Sequence, residues 1–319
     1  MQFSLGAMKT GTPAQEQEVI ILGTGPAGLA AAVYAARADR KPLVLAGPDL
    51  GGQVALTYTV ENYPGFPEGV GGGDLFSLFQ KQAEKFGAVV DFSSAGEVDL
   101  SVRPFRILAD SGEYRTKALI VATGASPRKL GVPGEESLLG RGVSYCATCD
   151  GAFFRGRNVL VVGGGDSALE EGIFLTRYAS QVTIIHRRNA LRAGPLLQAR
   201  AQRNEKIRFL LETVVEEIQG GNGVQSVEVR NVSSGKKEIL TAEGIFVFIG
   251  HDPNTSVFRG KIDMDPKGYI RVDDRMRTSV PGVFAAGEAA DPVFRQIATS
   301  AGMGVAAAIS ADRWLEENG

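Results

Sequence analysis

A short apolar run, a glycine turn and a helical segment follow one another twice in this chain, about 140 residues apart. The first copy runs Val19-Ile20-Ile21-Leu22 into Gly23-Thr24-Gly25-Pro26-Ala27-Gly28, then an Ala-rich helical pattern over 29–40 and a second apolar run over 41–46. The second begins at Asn158 and runs Val159-Leu160-Val161-Val162 into Gly163-Gly164-Gly165-Asp166-Ser167-Ala168, then a helix over 168–178 and a strand over 181–185. Short apolar runs bounded by glycine turns read as buried parallel strands. A helix that starts on such a turn aims free N–H groups and the positive end of its dipole at whatever lies in front of it. The glycines allow the tight turn and let backbone N–H groups approach a pyrophosphate, so G-x-G-x-x-G in this strand–turn–helix–strand setting is a dinucleotide site. Ala168 stands where the second copy would have its third glycine. Two such units predict an α/β protein with two Rossmann-like dinucleotide-binding domains, a number of domains that 319 residues accommodate.

The two sites differ where ribose would be recognised. An acid is expected at the end of the second strand of each unit. The first unit has Ala46-Gly47-Pro48 there, with Asp49 a little late. The second has His186-Arg187-Arg188, with Arg192 four residues on. Bases at this position suit a 2′-phosphate through charge-assisted, often bidentate, hydrogen bonds, and point to NADPH. The plainer reading is a solvated basic turn.

The chain contains two cysteines, both in Cys146-Ala147-Thr148-Cys149, just before the second unit. A zinc site needs about four ligands. There is no second cysteine pair, and the two histidines, His186 and His251, lie far apart in sequence. In a reducing compartment a lone C-x-x-C is more often a redox dithiol, the alternative being an incidental pair of buried thiols. One sulfur attacks a disulfide and the other resolves the mixed disulfide, so two intervening residues keep both within bridging reach. Asp150 follows directly and would serve as general acid, or simply as a turn cap. Nicotinamide gives two electrons as hydride, and a flavin passes both to a disulfide.

Elsewhere the pattern predicts loops at 51–54 and 61–65, a helix over 74–86, and strands over 88–92, 105–108, 118–122, 244–250 and 282–287. An Ala/Gly-rich helix is predicted over 297–314. The first 18 residues are polar and lack the apolar centre of a secretory signal; they read as a flexible leader. A net charge of −2 gives no reason to expect nucleic acid or a membrane surface. No apolar run approaches the roughly 20 residues that span a bilayer. A cytoplasmic protein is the expectation.

In order and spacing the chain resembles the bacterial-type, low-molecular-weight thioredoxin reductases of the pyridine nucleotide-disulfide oxidoreductase family. The resembling segments run from Gly23-Thr24-Gly25-Pro26-Ala27-Gly28 through Gly51-Gly52-Gln53 and Glu61-Asn62-Tyr63-Pro64-Gly65 to Ala122-Thr123-Gly124. They continue with Cys146 to Asp150, Gly163 to Ala168, His186-Arg187-Arg188 with Arg192, Gly250-His251-Asp252-Pro253-Asn254, and the run from Arg295, Gln296 and Ile297 to Gly302. The resemblance implies a discontinuous FAD domain, 19–126 and 251–319, with an NADPH domain, 127–250, inserted and carrying the dithiol. Cys149 would be the sulfur nearest the flavin and Cys146 the one that attacks oxidised thioredoxin. It further implies a homodimer whose two domains rotate between half-reactions, hinged near Ala122-Thr123-Gly124 and Gly250-His251. FAD would be held by the first glycine turn with Gly52, Gln53, Asn62, Ala122, Thr123, Gly124, Gly287, Glu288, Asp291, Arg295, Gln296 and Ile297. NADPH would be held by Gly163, Gly165, Asp166, Ser167, Ala168, His186, Arg187, Arg188 and Arg192, and no metal is implied.

One residue departs from that pattern: Glu288 follows Gly287 where the family usually has Asp, one methylene shorter. Three related enzymes compete. The reductase partner of a peroxiredoxin carries an extra N-terminal region with its own C-x-x-C. Ferredoxin or flavodoxin–NADP reductases and flavin monooxygenases lack the dithiol. From another class, the chain would be an idle nucleotide-binding scaffold or a redox sensor, and turnover of a dithiol substrate separates that reading from an enzyme.

Overall fold

The computed structural model describes residues 14–318 except 56 and 58; most of the predicted leader, residues 1–13, lies outside the described residues. The described residues form two compact units. One draws on Met1–Ala55, Val70–Ser126 and Pro253–Gly319, the other on Leu56–Gly69 and Pro127–Asp252.

The first unit opens with β1 (Gln15–Leu22), α1 (Pro26–Arg37) and β2 (Leu43–Leu45). β1 starts four residues before the predicted strand, so residues 15–18 belong to the sheet and not to a leader. Those polar residues are held by strand pairing, which runs from Gln15 opposite Tyr114 to Leu22 opposite Val121, with Glu18 also paired to Arg40. A one-turn α2 (Gly52–Ala55) stands where a loop was expected, and α3 (Gly72–Lys85) and β3 (Val89–Asp91) follow. Then β4 (Ala95–Asp99), β5 (Phe105–Ala109) and β6 (Gly112–Val121) form an antiparallel extension. The sheet order is β3-β2-β1-β6-β5-β4, parallel from β3 to β6.

The chain leaves this unit through β7 (Ala125–Pro127), then forms β8 (Val143–Ser144) and a four-residue helix, α4 (Ala147–Asp150). The second βαβ unit is β9 (Asn158–Val162), α5 (Asp166–Leu175) and β10 (Gln181–Ile185). α6 (Pro195–Gln202) and β11 (Ile207–Leu210) come next. An antiparallel sheet of β12 (Thr213–Gly220), β13 (Val224–Asn231) and β14 (Lys237–Thr241) precedes β15 (Gly244–Val247). The parallel sheet here has the order β11-β10-β9-β15-β8, the open doubly wound arrangement whose nucleotide crevice lies at the carboxyl ends of its strands.

β16 (His251–Pro253), paired with β7, returns the chain to the first unit. There β17 (Val283–Ala285) joins β6 in parallel and α7 (Ile297–Asn318) ends the described chain. α1 is buried along most of its length because the sheet covers one side and α7 another; a Cβ at Gly304 of α7 would lie 2.0 Å from the Ala27 carbonyl oxygen. Small residues therefore set how near the two helices run. Each unit has its own apolar clusters, one pair around Ile21, Ile120 and Leu119, the other around Val161, Ile184 and Ile245. Every fully buried Ile or Leu among them contributes about 1.5–3 kcal/mol of transfer free energy.

Candidate active site

In the first unit, the turn after β1 is built by close backbone approach. Gly23 has φ +106 and its N–H donates to Leu45 O at 2.8 Å. A Cβ there would lie 2.3 Å from Ala122 O, and a Cβ at Gly28 would lie 1.9 Å from Gly23 O. Gly25, the N-cap of α1, has open space in front of it, and no side chain caps the helix. Pro26 takes the first position, where its missing N–H costs nothing. An uncapped helix start facing open space fits a pyrophosphate, so the residues present suit a dinucleotide.

Gly51 N–H donates to the buried hydroxyl of Thr24 at 3.1 Å, and a Cβ on Gly52 would approach Gly25 Cα at 3.8 Å. Gly52 and Gln53, both in α2, thus stand at the fingerprint. Thr24 occupies a variable position of the motif and gives no signal by spacing. Ala122, Thr123 and Gly124 follow β6, whose end lies beside β1. Asn254 brackets them: its side-chain N–H donates to Thr123 O at 3.1 Å and its backbone N–H to Gly124 O at 2.9 Å. Thr123 Oγ1 is buried with no hydrogen-bond partner among the described residues, as expected of an atom reserved for a bound group.

Gly287 has φ +67, and its Cβ would meet Ala27 Cβ at 2.8 Å and Ser300 Oγ at 3.6 Å, so this turn sits between the starts of α1 and α7. Burial pushes the Glu288 carboxyl up to about 7; Arg295 pulls it down and Asp291 raises it further. The buried Asp291 accepts the N–H groups of Val293, Phe294 and Arg295 at 2.8, 2.9 and 3.1 Å. Its carboxylate shapes the turn before α7. Arg295 follows in the left-handed region at φ +50, the Gln296 carbonyl accepts the Ser300 N–H at 2.9 Å, and Ile297 is the first helical residue. Asn62 belongs to the 56–69 segment, which groups with the second unit, whereas the sequence placed it with the first.

In the second unit the same logic recurs. Gly163 N–H donates to Ile185 O, and a Cβ on Gly163 would lie 2.5 Å from Phe248 O and 2.7 Å from Ala168 Cβ. The alanine in the third glycine position is therefore fully buried against the turn. Gly165 caps α5 without a side-chain cap, and the Arg192 guanidinium would lie 3.9 Å from its Cβ. Residues 191–194 fold over the turn: Arg192 and Ala193 N–H groups reach Gly164 O, and Gly194 N–H reaches Asp166 Oδ1. Asp166 and Ser167 are the exposed first residues of α5, and Arg187, Arg188 and Arg192 are exposed at the end of β10 and beyond.

His186 departs from its predicted role as a surface base. It is buried, its ring fills the space beside Gly164, and a Cβ there would lie 2.3 Å from its Nδ1. Burial, then Arg192, lower its pKa despite a hydrogen bond to Ala190 that raises it, so it is neutral near pH 7. The positive charge here belongs to the three arginines.

Cys146 and Cys149 form a disulfide, with Cα atoms 5.3 Å apart. Cys146 is the N-cap of α4, and Cys149 N–H points at Cys146 Sγ at 3.2 Å. A backbone donor aimed at one sulfur favours thiolate on that sulfur after reduction. Burial pushes the Asp150 carboxyl up, and a hydrogen bond from Ser144 pulls it back. A carboxyl that holds its proton more readily than usual suits general-acid work. No group of three or more metal-ligating side chains occurs among the described residues. No helix among them is long and apolar enough to cross a membrane.

The description that matches the chain, over residues 17–304, is pyridine nucleotide-disulphide oxidoreductase. The chain is 48% identical over 301 residues to a thioredoxin reductase of Mycolicibacterium smegmatis, covering 94% of this chain and 97% of the relative. It is 47% identical over 304 residues to a bifunctional thioredoxin reductase/thioredoxin of Mycobacterium leprae, covering 94% of this chain and 66% of that one. A solved thioredoxin reductase of Streptococcus pyogenes matches with a TM-score of 0.91 at 41% identity, over 96% of this chain and 100% of the other.

Proposed function

The chain belongs to the pyridine nucleotide-disulphide oxidoreductase family, and from that premise we infer that it is an NADPH-dependent reductase of the thioredoxin disulfide. The observation that carries this reading is the Cys146–Cys149 disulfide beside the half-buried Asp150, in the unit that also holds the basic nucleotide turn. Bound FAD and NADPH supply the two-electron chemistry, hydride from nicotinamide passing through flavin to a disulfide.

The chain's own residues do the rest. The α1 start, with Gly23, Gly25, Gly28 and Gly52, holds the flavin dinucleotide's pyrophosphate, and the 287–297 turn holds its ribityl side. Gly163, Gly165 and the α5 start take the pyrophosphate of NADPH, and Arg187, Arg188 and Arg192 pair its 2′-phosphate. Cys149 receives the electron pair and Cys146 leaves as the thiolate; Asp150 gives it a proton and takes that proton back when Cys146 attacks the partner, then passes it to the thioredoxin thiolate that leaves. Cys146 thiolate then attacks the thioredoxin disulfide, expelling one thioredoxin thiolate and forming a mixed disulfide. Cys149 attacks Cys146 sulfur, re-forms the Cys146–Cys149 bond and expels the second thiolate. The balance is NADPH, one proton and a disulfide giving NADP⁺ and a dithiol. Attack on the partner needs Cys146 accessible, whereas electron entry needs Cys149 beside the flavin, so the FAD domain (19–126, 251–319) and the NADPH domain (127–250) turn relative to each other between half-reactions. The chain passes between the two compact units at 126/127 and 252/253, and also on either side of the 56–69 segment, so such a motion must carry that segment with it or release it.

Thioredoxin as partner is supported by the relative in which both functions are named together. The protein acts in the cytoplasm, where a dithiol is kept reducible, and as a homodimer. Sedimentation should then give about twice the 33.8 kDa of one chain. The functional test is anaerobic stopped-flow absorbance with NADPH, with and without thioredoxin, on the protein and on Cys149→Ser. A yellow protein that bleaches with NADPH and recovers with thioredoxin only when Cys149 is present supports the path. Recovery independent of Cys149 sinks it, and leaves a plain NADPH–flavin reductase.

A further inference from the structure

Neither the fingerprints nor the C-x-x-C spacing selects Ser144, yet its hydroxyl joins three parts of the dithiol loop. Ser144 ends β8, where Phe246 of β15 is its register partner, and is only 3% exposed. Its Oγ lies 2.6 Å from Asp150 Oδ2, 3.0 Å from Cys146 N and 3.2 Å from Cys146 O. A hydroxyl has one proton and two acceptor lone pairs. The Cys146 N–H takes one lone pair, so the contacts to Asp150 and to Cys146 O share the single donated proton. With Asp150 ionised, the hydroxyl donates to the carboxylate. With Asp150 protonated, the carboxyl donates to Oγ and the hydroxyl proton turns to Cys146 O. Both protonation states of the acid thus find a partner at one atom, while the Cys146 N–H stays satisfied throughout.

We propose, resting on the dithiol chemistry above, that Ser144 is a positioning residue that holds Asp150 against the dithiol loop in both halves of its proton cycle. A carboxyl that had to find a new partner at each transfer would lose alignment with the sulfur it serves. β15 and β9 offer no titratable side chain there, and the 3-10 turn Gly151–Phe154 is apolar. α5 carries Asp166, Glu170 and Glu171, and packs Phe174 and Leu175 on Gly151. Arg155 and Arg177 stack on Tyr178 and Phe174. The groups acting on Asp150 are the burial itself and Ser144.

The experiment compares the holoenzyme with Ser144→Ala, Ser144→Thr and Asp150→Asn. Three readouts are taken against pH: kcat for thioredoxin reduction, NADPH oxidation with a quinone that accepts electrons without the dithiol, and the rate of iodoacetamide alkylation of the reduced dithiol. The Ser144 hydrogen bond lowers the carboxyl's pKa, so its loss moves the limb of the thioredoxin profile due to Asp150 to higher pH. The alkylation profile shifts with it, kcat falls, the thioredoxin KM and quinone reduction stay as they were, and Ser144→Thr restores the profile. If Ser144→Ala does not bind FAD, Ser144→Gly removes the same hydroxyl. The proposal fails if the profiles of the hydroxyl-free variant and the wild type superpose. It also fails if quinone reduction falls in parallel, if threonine does not rescue, or if the shift persists in an Asp150→Asn background. Full thioredoxin turnover by Cys149→Ser is a separate outcome, which removes the proposed function itself.

Discussion

A methyl group added at Gly28 would lie 1.9 Å from the Gly23 carbonyl oxygen, a backbone atom that moves only if the whole turn moves. Gly28→Ala should therefore cost about 1–3 kcal/mol and displace the start of α1. Its expected result is a protein purified colourless or with substoichiometric flavin; full yellow occupancy would show that the turn tolerates the shift. Glu288 makes a pH prediction whose sign follows from its burial. Its carboxyl is raised from 4.5 to about 7, so the native state keeps a proton that the unfolded chain releases. Stability then falls as pH rises from about 4.5 through about 7, and flattens above that. Thermal unfolding of the flavin-free protein between pH 5 and 8 should show this fall, and Glu288→Gln should shrink it. An identical slope in the variant would assign the fall to other groups.

Among the elements, the loop after β10 carries the proposed 2′-phosphate site. Arg187 and Arg188 are exposed and carry charge, while His186 beneath them is buried and neutral. Arg187→Ala with Arg188→Ala should raise the NADPH KM by tenfold or more, about 1.4 kcal/mol or above, and leave the NADH KM within about twofold. Equal effects on both would defeat the 2′-phosphate assignment. The βαβ units themselves were legible because apolar runs and glycine turns have a fixed order; the strand over 181–185 has the boundaries read from sequence. β12 to β14 were not foreseen. Their alternation is interrupted by register shifts, and Glu216, Glu228, Arg230 and Lys237 stand on them as cross-strand ion pairs. Such charges look like loop in a linear reading, and only strand pairing brings them together.

At the scale of the whole molecule, each unit carries its own apolar clusters, so each has its own stability to be raised by its own ligand. Hydrogen exchange should show NADP⁺ slowing residues 159–169 and 184–194, and FAD added to the flavin-free protein slowing residues 19–29, 122–124 and 285–300. Protection of both sets by either ligand alone would speak against two separately liganded domains. Removing FAD should lower the unfolding temperature of the first unit and leave that of the second.

What the sequence determined by itself was the local chemistry: two glycine turns between strand and helix, a pair of cysteines two residues apart, bases after one strand and no acid after another. These depend on covalent neighbours and on backbone sterics, which are the same in any context. What the tertiary structure decided was which polar groups lose their water. Burial turned His186 from a base into a neutral packing group, raised Glu288 and Asp150, and brought Ser144, Thr24 and Asn254 to positions that no spacing rule marks. Desolvation and hydrogen bonding across long sequence separations are set by packing, and packing is settled only when the whole chain has folded.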